Sequence, residues 1–237
     1  MRLFNLFYLL IMVLISHESF SQARSFRDFI IAASSPTNTK ASETNFKTAG
    51  GKDRFETEQW AKGWALSRGS ELVKEGYAFN FDYERNELYL KKEDEDVMIV
   101  ADNNSVRRFV IFNGTDSIRF VKSIAIDKTN KVFFQLVGGS TSGKIALLKL
   151  RTAKAMPVNK NDYARNFNGD YSTQYRNENV YFFVDAEIGV KGFEKINRDE
   201  LLKLFPQHQA IIVKLVTSKK NIDEKTLVAF ANEVNGL

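Results

Sequence analysis

The sequence predicts an α+β fold dominated by β structure: an antiparallel sandwich or partly closed barrel of about eight or more strands, with C-terminal helices. Three observations carry that expectation. From Trp60 onward the pattern becomes period two, beginning with Ala65, Ser67 and the Arg68-Gly69 turn and clearest from Tyr77, the signature of a strand with one buried face. Turn-forming residues separate these runs at short intervals. Beyond residue 197 the period becomes helical and capping residues appear.

The elements follow in order. Arg2 supplies a positive start, Leu3 to Ile15 is almost wholly apolar, and Ser19-Phe20-Ser21 places small residues at the −3 and −1 positions of a cleavage site. Residues 1–21 therefore read as a secretory signal peptide cut after Ser21. The apolar run has thirteen residues, short of the about 20 that a spanning helix requires. There is no cysteine, so neither a lipid anchor attached through cysteine nor a disulfide is expected. The expected location is periplasmic or secreted.

Residues 22–54 are expected to form a poorly ordered leader, because Ser34 to Thr39 and Thr48-Ala49-Gly50-Gly51 have turn composition. An antiparallel β domain is expected over 55–196. Tyr77, Phe79 and Phe81 alternate with Ala78, Asn80 and Asp82; Glu84-Arg85-Asn86 turns the chain into Leu88 and Leu90. The acidic run Glu93 to Asp96 is another turn, before Val97 to Val100. Val106 to Phe112 and Ile118 to Lys122 flank Asn113-Gly114, a strong hairpin signal because it supplies positive φ cheaply. Val132 to Val137 pairs with Ile145 to Leu150 across a Gly/Ser loop, and Val180 to Val184 with Ile188 to Lys191.

C-terminal helices packed on the sheet are expected over 197–237. Asn197 with Glu200 has capping-box spacing, and Asn221 with Glu224 repeats it. Leu201, Leu204 and Phe205 share a face, Pro206 interrupts, and Ala210, Ile211, Ile212 and Leu215 resume. Leu227, Val228, Ala231 and Val234 form an apolar stripe ending near Gly236, a C-cap residue.

A chain of 237 residues with 43% hydrophobic content and 20 Phe can build a core without staples. Its net charge of +5 is spread along the chain, so no basic stripe suggests nucleic acid. Outside residues 1–21 the sole histidine is His208. With no Gly-x-Ser-x-Gly elbow and no His or Cys cluster, neither a triad hydrolase nor a metal or cofactor site is expected. Gly138-Gly139-Ser140-Thr141-Ser142-Gly143-Lys144 nearly spells a phosphate-binding loop. However, Ile145 stands where Ser or Thr would hold magnesium, and the loop is expected to join two strands.

The strongest candidate surface is aromatic. Tyr163, Phe167, Tyr171 and Tyr175 recur every four residues around Asn168-Gly169-Asp170, which breaks any helix. Tyr163, Tyr171 and Tyr175 are the candidate platform for a sugar or peptide. Ser140 and Thr141 are weaker candidates.

Phe55-Glu56-Thr57-Glu58-Gln59-Trp60, Tyr77 to Asp82, Asn86 to Leu90, Ile99-Val100 and Val106 to Phe112 resemble a family of exported β-rich proteins of Bacteroidota, over roughly residues 55 to 235. The resemblance implies no activity and carries over no functional residues. The expected function is a non-enzymatic envelope protein, a binding or structural module whose partner is another envelope protein, a glycan or a peptide. A carboxylate-based glycan hydrolase and a carrier holding an apolar ligand in a barrel cavity are the alternatives.

Overall fold

The computed structural model describes residues 36–40, 45–94, 97–114, 116–157, 173–217 and 220–236. The strands are β1 (Pro36–Lys40), β2 (Gly63–Ser67), β3 (Leu72–Val73), β4 (Tyr77–Asp82), β5 (Glu87–Lys92) and β6 (Val97–Val100), then β7 (Val106–Asn113), β8 (Asp116–Lys122), β9 (Phe133–Gly139), β10 (Ile145–Ala155), β11 (Tyr175–Asp185) and β12 (Gly189–Phe193). The helices are α1 (Gly51–Arg54), α2 (Arg198–Leu204), α3 (Gln209–Leu215) and α4 (Glu224–Asn235), with a 3-10 turn at Pro206–His208. The fold is thus β-dominated with C-terminal helices.

The strands form two open sheets. The larger runs β12-β11-β10-β9-β8-β7-β2-β3 and the smaller β1-β6-β5-β4. Neighbours in both are antiparallel. One face of the large sheet carries two separate coverings. Over β2, β7 and β8 lies the small sheet, and the space between is filled by Phe79, Phe81, Leu88, Phe109, Ile111, Phe120 and Phe133, each at most 1% exposed. Phe109 stacks on Phe120 with centroids 4.5 Å apart, and Phe133 meets Phe109 edge-on at 4.9 Å. A buried ring of this kind contributes about 1.5–3 kcal/mol. The interior of the sandwich is therefore side chain, which gives the carrier reading no support there.

The second covering is helical. Phe183 and Leu147 from the sheet meet Phe205, Ile212, Leu227 and Phe230, all buried. Asn197 caps α2 in the expected box with Glu200. The expected box at Asn221 is replaced by Asp223, whose side chain accepts from Thr226 N at 2.8 Å. Starting α4 at Glu224 leaves that carboxylate free to reach the sheet. Gly236 ends α4 with φ 72.

The expected leader is also corrected. Among its described residues, Pro36–Lys40 pair with β6 as β1, and Phe46 is 1% exposed. Phe46 packs on Phe55 and Trp60, with Tyr89 and Met98 beneath. This cluster covers the outer face of the small sheet. Turn composition around Gly50-Gly51 marks a tight bend here, not a free linker.

The glycine-rich loop joins β9 to β10 as a hairpin, Gly139 pairing with Ala146. Its glycines have a packing reason. A Cβ on Gly138 would lie 3.0 Å from Val228 Cα, and one on Gly143 would lie 2.0 Å from Asn235 Oδ1. Helix α4 comes so close that its asparagines bind the loop. Asn232 Oδ1 accepts from Gly139 N at 2.8 Å, and Asn235 Oδ1 from Lys144 N at 2.8 Å. Asn235 Nδ2 donates to Ile145 O at 2.8 Å and Ala231 O at 2.7 Å. Backbone donors that a phosphate loop would offer to its ligand are here held by α4.

Candidate functional site

The short helix α1 sits on the far ends of β10 and β11 and brings Arg54 to the mouth of the sandwich. Gly50 makes this possible. Its φ is 123, and a Cβ there would lie 2.8 Å from both Arg54 Cβ and the Tyr175 ring, so no other residue fits. Arg54 Nε donates to Asp82 Oδ2 at 3.1 Å and Nη2 to the same atom at 2.7 Å. Nη2 lies 3.1 Å from Glu84 Oε2, and Nη1 donates to Tyr175 Oη at 3.0 Å. Tyr175 Oη donates to Glu84 Oε2 at 3.3 Å. The guanidinium also lies over the Phe55 and Tyr175 rings, at 4.9 and 5.4 Å.

Asp82 is the centre of this network. Its side chain is 0% exposed, and it also accepts from Tyr89 Oη at 3.1 Å and Glu84 N at 2.9 Å. A carboxylate so buried is tolerable only with this many donors. Burial pulls the Arg54 guanidinium down, but the Asp82 hydrogen bond and charge outweigh it and raise the group above its ordinary value. Burial, then the Asp82 charge, raises the Tyr89 phenol.

Above this base opens a cleft of about 580 Å³. Lys47, Thr48 and Asp53 form one wall, and Met156, Thr173, Gln174 and Tyr175 the other. Asp53 is held by Asn177 Nδ2 at 3.1 Å. The cleft therefore presents a cation, an anion, hydroxyls and an amide around a fixed aromatic edge.

A charged seam continues from the cleft along the large sheet, between the two coverings. Arg151 donates from Nε to Asn177 Oδ1 at 3.0 Å, lies 4.3 Å over the Tyr83 ring and reaches Lys52 O. Tyr83 donates its hydroxyl to Glu56. Glu56 is 8% exposed. Burial pushes its carboxyl up, against the opposing Tyr83 hydrogen bond and Arg151 charge. Burial and the Glu56 charge raise the Tyr83 phenol. Further along, Lys149 Nζ and Tyr181 Oη both donate to Glu224 Oε2, at 2.8 and 2.5 Å. Burial opposes ionisation of Glu224, yet these two bonds hold it below the usual carboxylate range. Each charge of the seam is thus occupied by a protein partner.

Of the three candidate tyrosines, Tyr163 and Tyr171 lie outside the described residues. Tyr175 lines the cleft but opens β11, instead of lying in an irregular segment. It is 9% exposed, wedged between Gly50 and Arg54. It is an anchor that presents an edge, and its ring face is not free for stacking. Phe167 and residues 1–21 are also outside the described residues. Ser140 and Thr141 lie in the pinned β9–β10 loop, remote in the sheet from Tyr175, since the hairpin end of β10 is Ile145 and the cleft end Ala155. His208 packs its ring near Phe205 and Phe230, at 6.4 and 6.3 Å.

Sequence reasoning missed Arg54, Asp82, Gly50 and Gln174. Asp82 had one signal, a carboxylate at a position otherwise predicted to be solvated yet bracketed by Phe81 and Tyr83. Arg54 had none, because its partners lie 28 and 121 residues away.

Comparison with protein-family models, curated proteins and solved structures gives no match for this chain. Among the described residues no helix is long and apolar enough to cross a membrane.

Proposed function

We propose that the protein is an exported, non-enzymatic binding module of the cell envelope that takes a short glycan or peptide segment into the Tyr175 cleft. The cleft itself carries this reading. Its about 580 Å³ falls within the roughly 300–1,000 Å³ of small-ligand sites. Its walls offer both signs of charge and neutral donors and acceptors, the mixture that polar oligomers need. The Arg54–Asp82–Tyr175 network keeps its base rigid, so little ordering is required on binding. Glu56 and Tyr83, a buried acid and phenol whose proton affinity is raised, face each other inside the seam, which favours structural over catalytic use of them. Export rests on the signal-peptide pattern of residues 1–21.

The test is calorimetric titration of the protein with chitotetraose and with short polar peptides. Lys47→Ala/Gln174→Ala removes two exposed polar groups of opposite walls. At about 0.5–1.5 kcal/mol per hydrogen bond, the double variant should bind about tenfold more weakly. Wild-type affinity in the double variant, or no binding of either probe class, refutes the reading. N-terminal sequencing of envelope-purified protein should begin at residue 22, and full-length protein in the membrane fraction would refute export.

A further inference from the structure

A second cavity lies far from the Tyr175 cleft, between edge strand β12 and helix α2. We propose that it binds a small amphipathic carboxylate, an acyl chain with a free acid head. The cavity measures about 270 Å³, just under the roughly 300 Å³ at which drug-sized sites begin, which suits one short chain.

Its chemistry is divided in the way such a ligand requires. The floor is apolar: Phe193, Ile196 and Leu204. Ile196 is 3% exposed, and Phe193 is braced by ring contacts with Tyr181 and Phe183 at 5.8 and 5.2 Å. The rim carries Lys191 from β12, Lys195 from the connection and Lys203 from α2. Among the described residues none of these three is ion-paired. Elsewhere around the helical layer lysines do find partners on α4, Lys149 of β10 with Glu224 and Lys214 of α3 with Glu233, both at 2.8 Å. Glu200, the one acid of the rim, is turned toward its own helix start, where it accepts from Asn197 N at 3.0 Å. The lining therefore keeps an excess of positive charge over an apolar pocket. Lysine stems lie readily along apolar surface with the ammonium outward, which sets the heads where a carboxylate would emerge. The plain alternative is that the lysines only guard an edge strand from pairing.

The experiment uses the whole protein and the fluorescent aromatic sulfonate ANS, itself an amphipathic anion. ANS should bind, decanoate should displace it, and decanol and acetate should each displace it far less. Lys191→Gln/Lys195→Gln/Lys203→Gln changes only exposed side chains and leaves the floor intact. In that variant the decanoate affinity should fall about tenfold, with circular dichroism unchanged. Equal decanoate binding in the variant, or displacement by acetate as strong as by decanoate, overturns the proposal. So does binding to phosphatidylglycerol vesicles that exceeds decanoate binding and is lost in the variant, since that would make the rim a membrane contact.

Discussion

Asn235→Ala tests the claim that α4 pins the glycine-rich hairpin. The substitution removes the donor to Ile145 O and Ala231 O and the acceptor for Lys144 N. Lys144 N lies at the exposed end of the loop, where water replaces the lost partner. The other two bonds, at about 0.5–1.5 kcal/mol each, amount to about 1–3 kcal/mol. Alanine returns about 0.5 kcal/mol through its better helix propensity. The remaining loss of about 0.5–2.5 kcal/mol corresponds to a fall in Tm of about 1–10 °C for a chain of this size. Thermal melts followed by circular dichroism measure it, and amide exchange at Lys144 and Ile145 should quicken in parallel. Gly143→Ala provides the partner measurement. Its Cβ would sit 2.0 Å from Asn235 Oδ1, so it should be costly alone and much cheaper beside Asn235→Ala. Such coupling is what a double-mutant cycle detects for groups in contact. A Tm within about 1 °C of wild type, or two penalties that simply add, would refute the pinning.

Two further outcomes follow from the charged groups. Arg54→Leu leaves the 0%-exposed Asp82 carboxylate without its cation and should cost about 3–5 kcal/mol. Urea unfolding measures this, and Arg54→Leu/Asp82→Asn should recover part of it, whereas equal losses would show that the pair is not the cause. Glu56 binds its proton more tightly folded than unfolded, so its contribution is fully present below the unfolded pKa and is lost as pH rises through the folded value. Glu56→Gln should therefore raise the urea midpoint at neutral pH while changing it little in acid. An unchanged midpoint at neutral pH would count against the burial of that carboxyl.

The sequence was most legible where alternating aromatic residues of a strand pack against other rings. Tyr77 to Asp82 was bounded to the residue, because the Phe79 and Phe81 pattern is the direct imprint of the core. Legibility failed in β11, whose Arg176 to Asn179 segment shows no apolar alternation. Asn177 faces Arg151 and Asp53 in the polar seam, so a true strand there carries polar side chains on its inner face. Asn113-Gly114 marked its hairpin, but Asn113 still pairs with Asp116 as a strand residue, and the positive φ of 66 belongs to Gly114. The leader was misjudged because the burial of Phe46 depends on Phe55, Trp60 and Tyr89, contacts that no local window contains. For the site, Tyr175 was found as an aromatic near the surface, yet the reason for its position, Arg54 held by Asp82, is wholly tertiary.

The hairpin and its pins are about ninety residues apart in the chain. Translation makes the sheet first and α4 afterwards. While the intervening stretch emerges from the ribosome, Leu147 and Phe183 have no helix to cover them, and the Gly139 and Lys144 amides have no asparagine to receive them. A nascent chain halted before Arg198 thus offers a bare apolar sheet face to any chaperone that meets it, and the chain closes on itself only once α4 has been made.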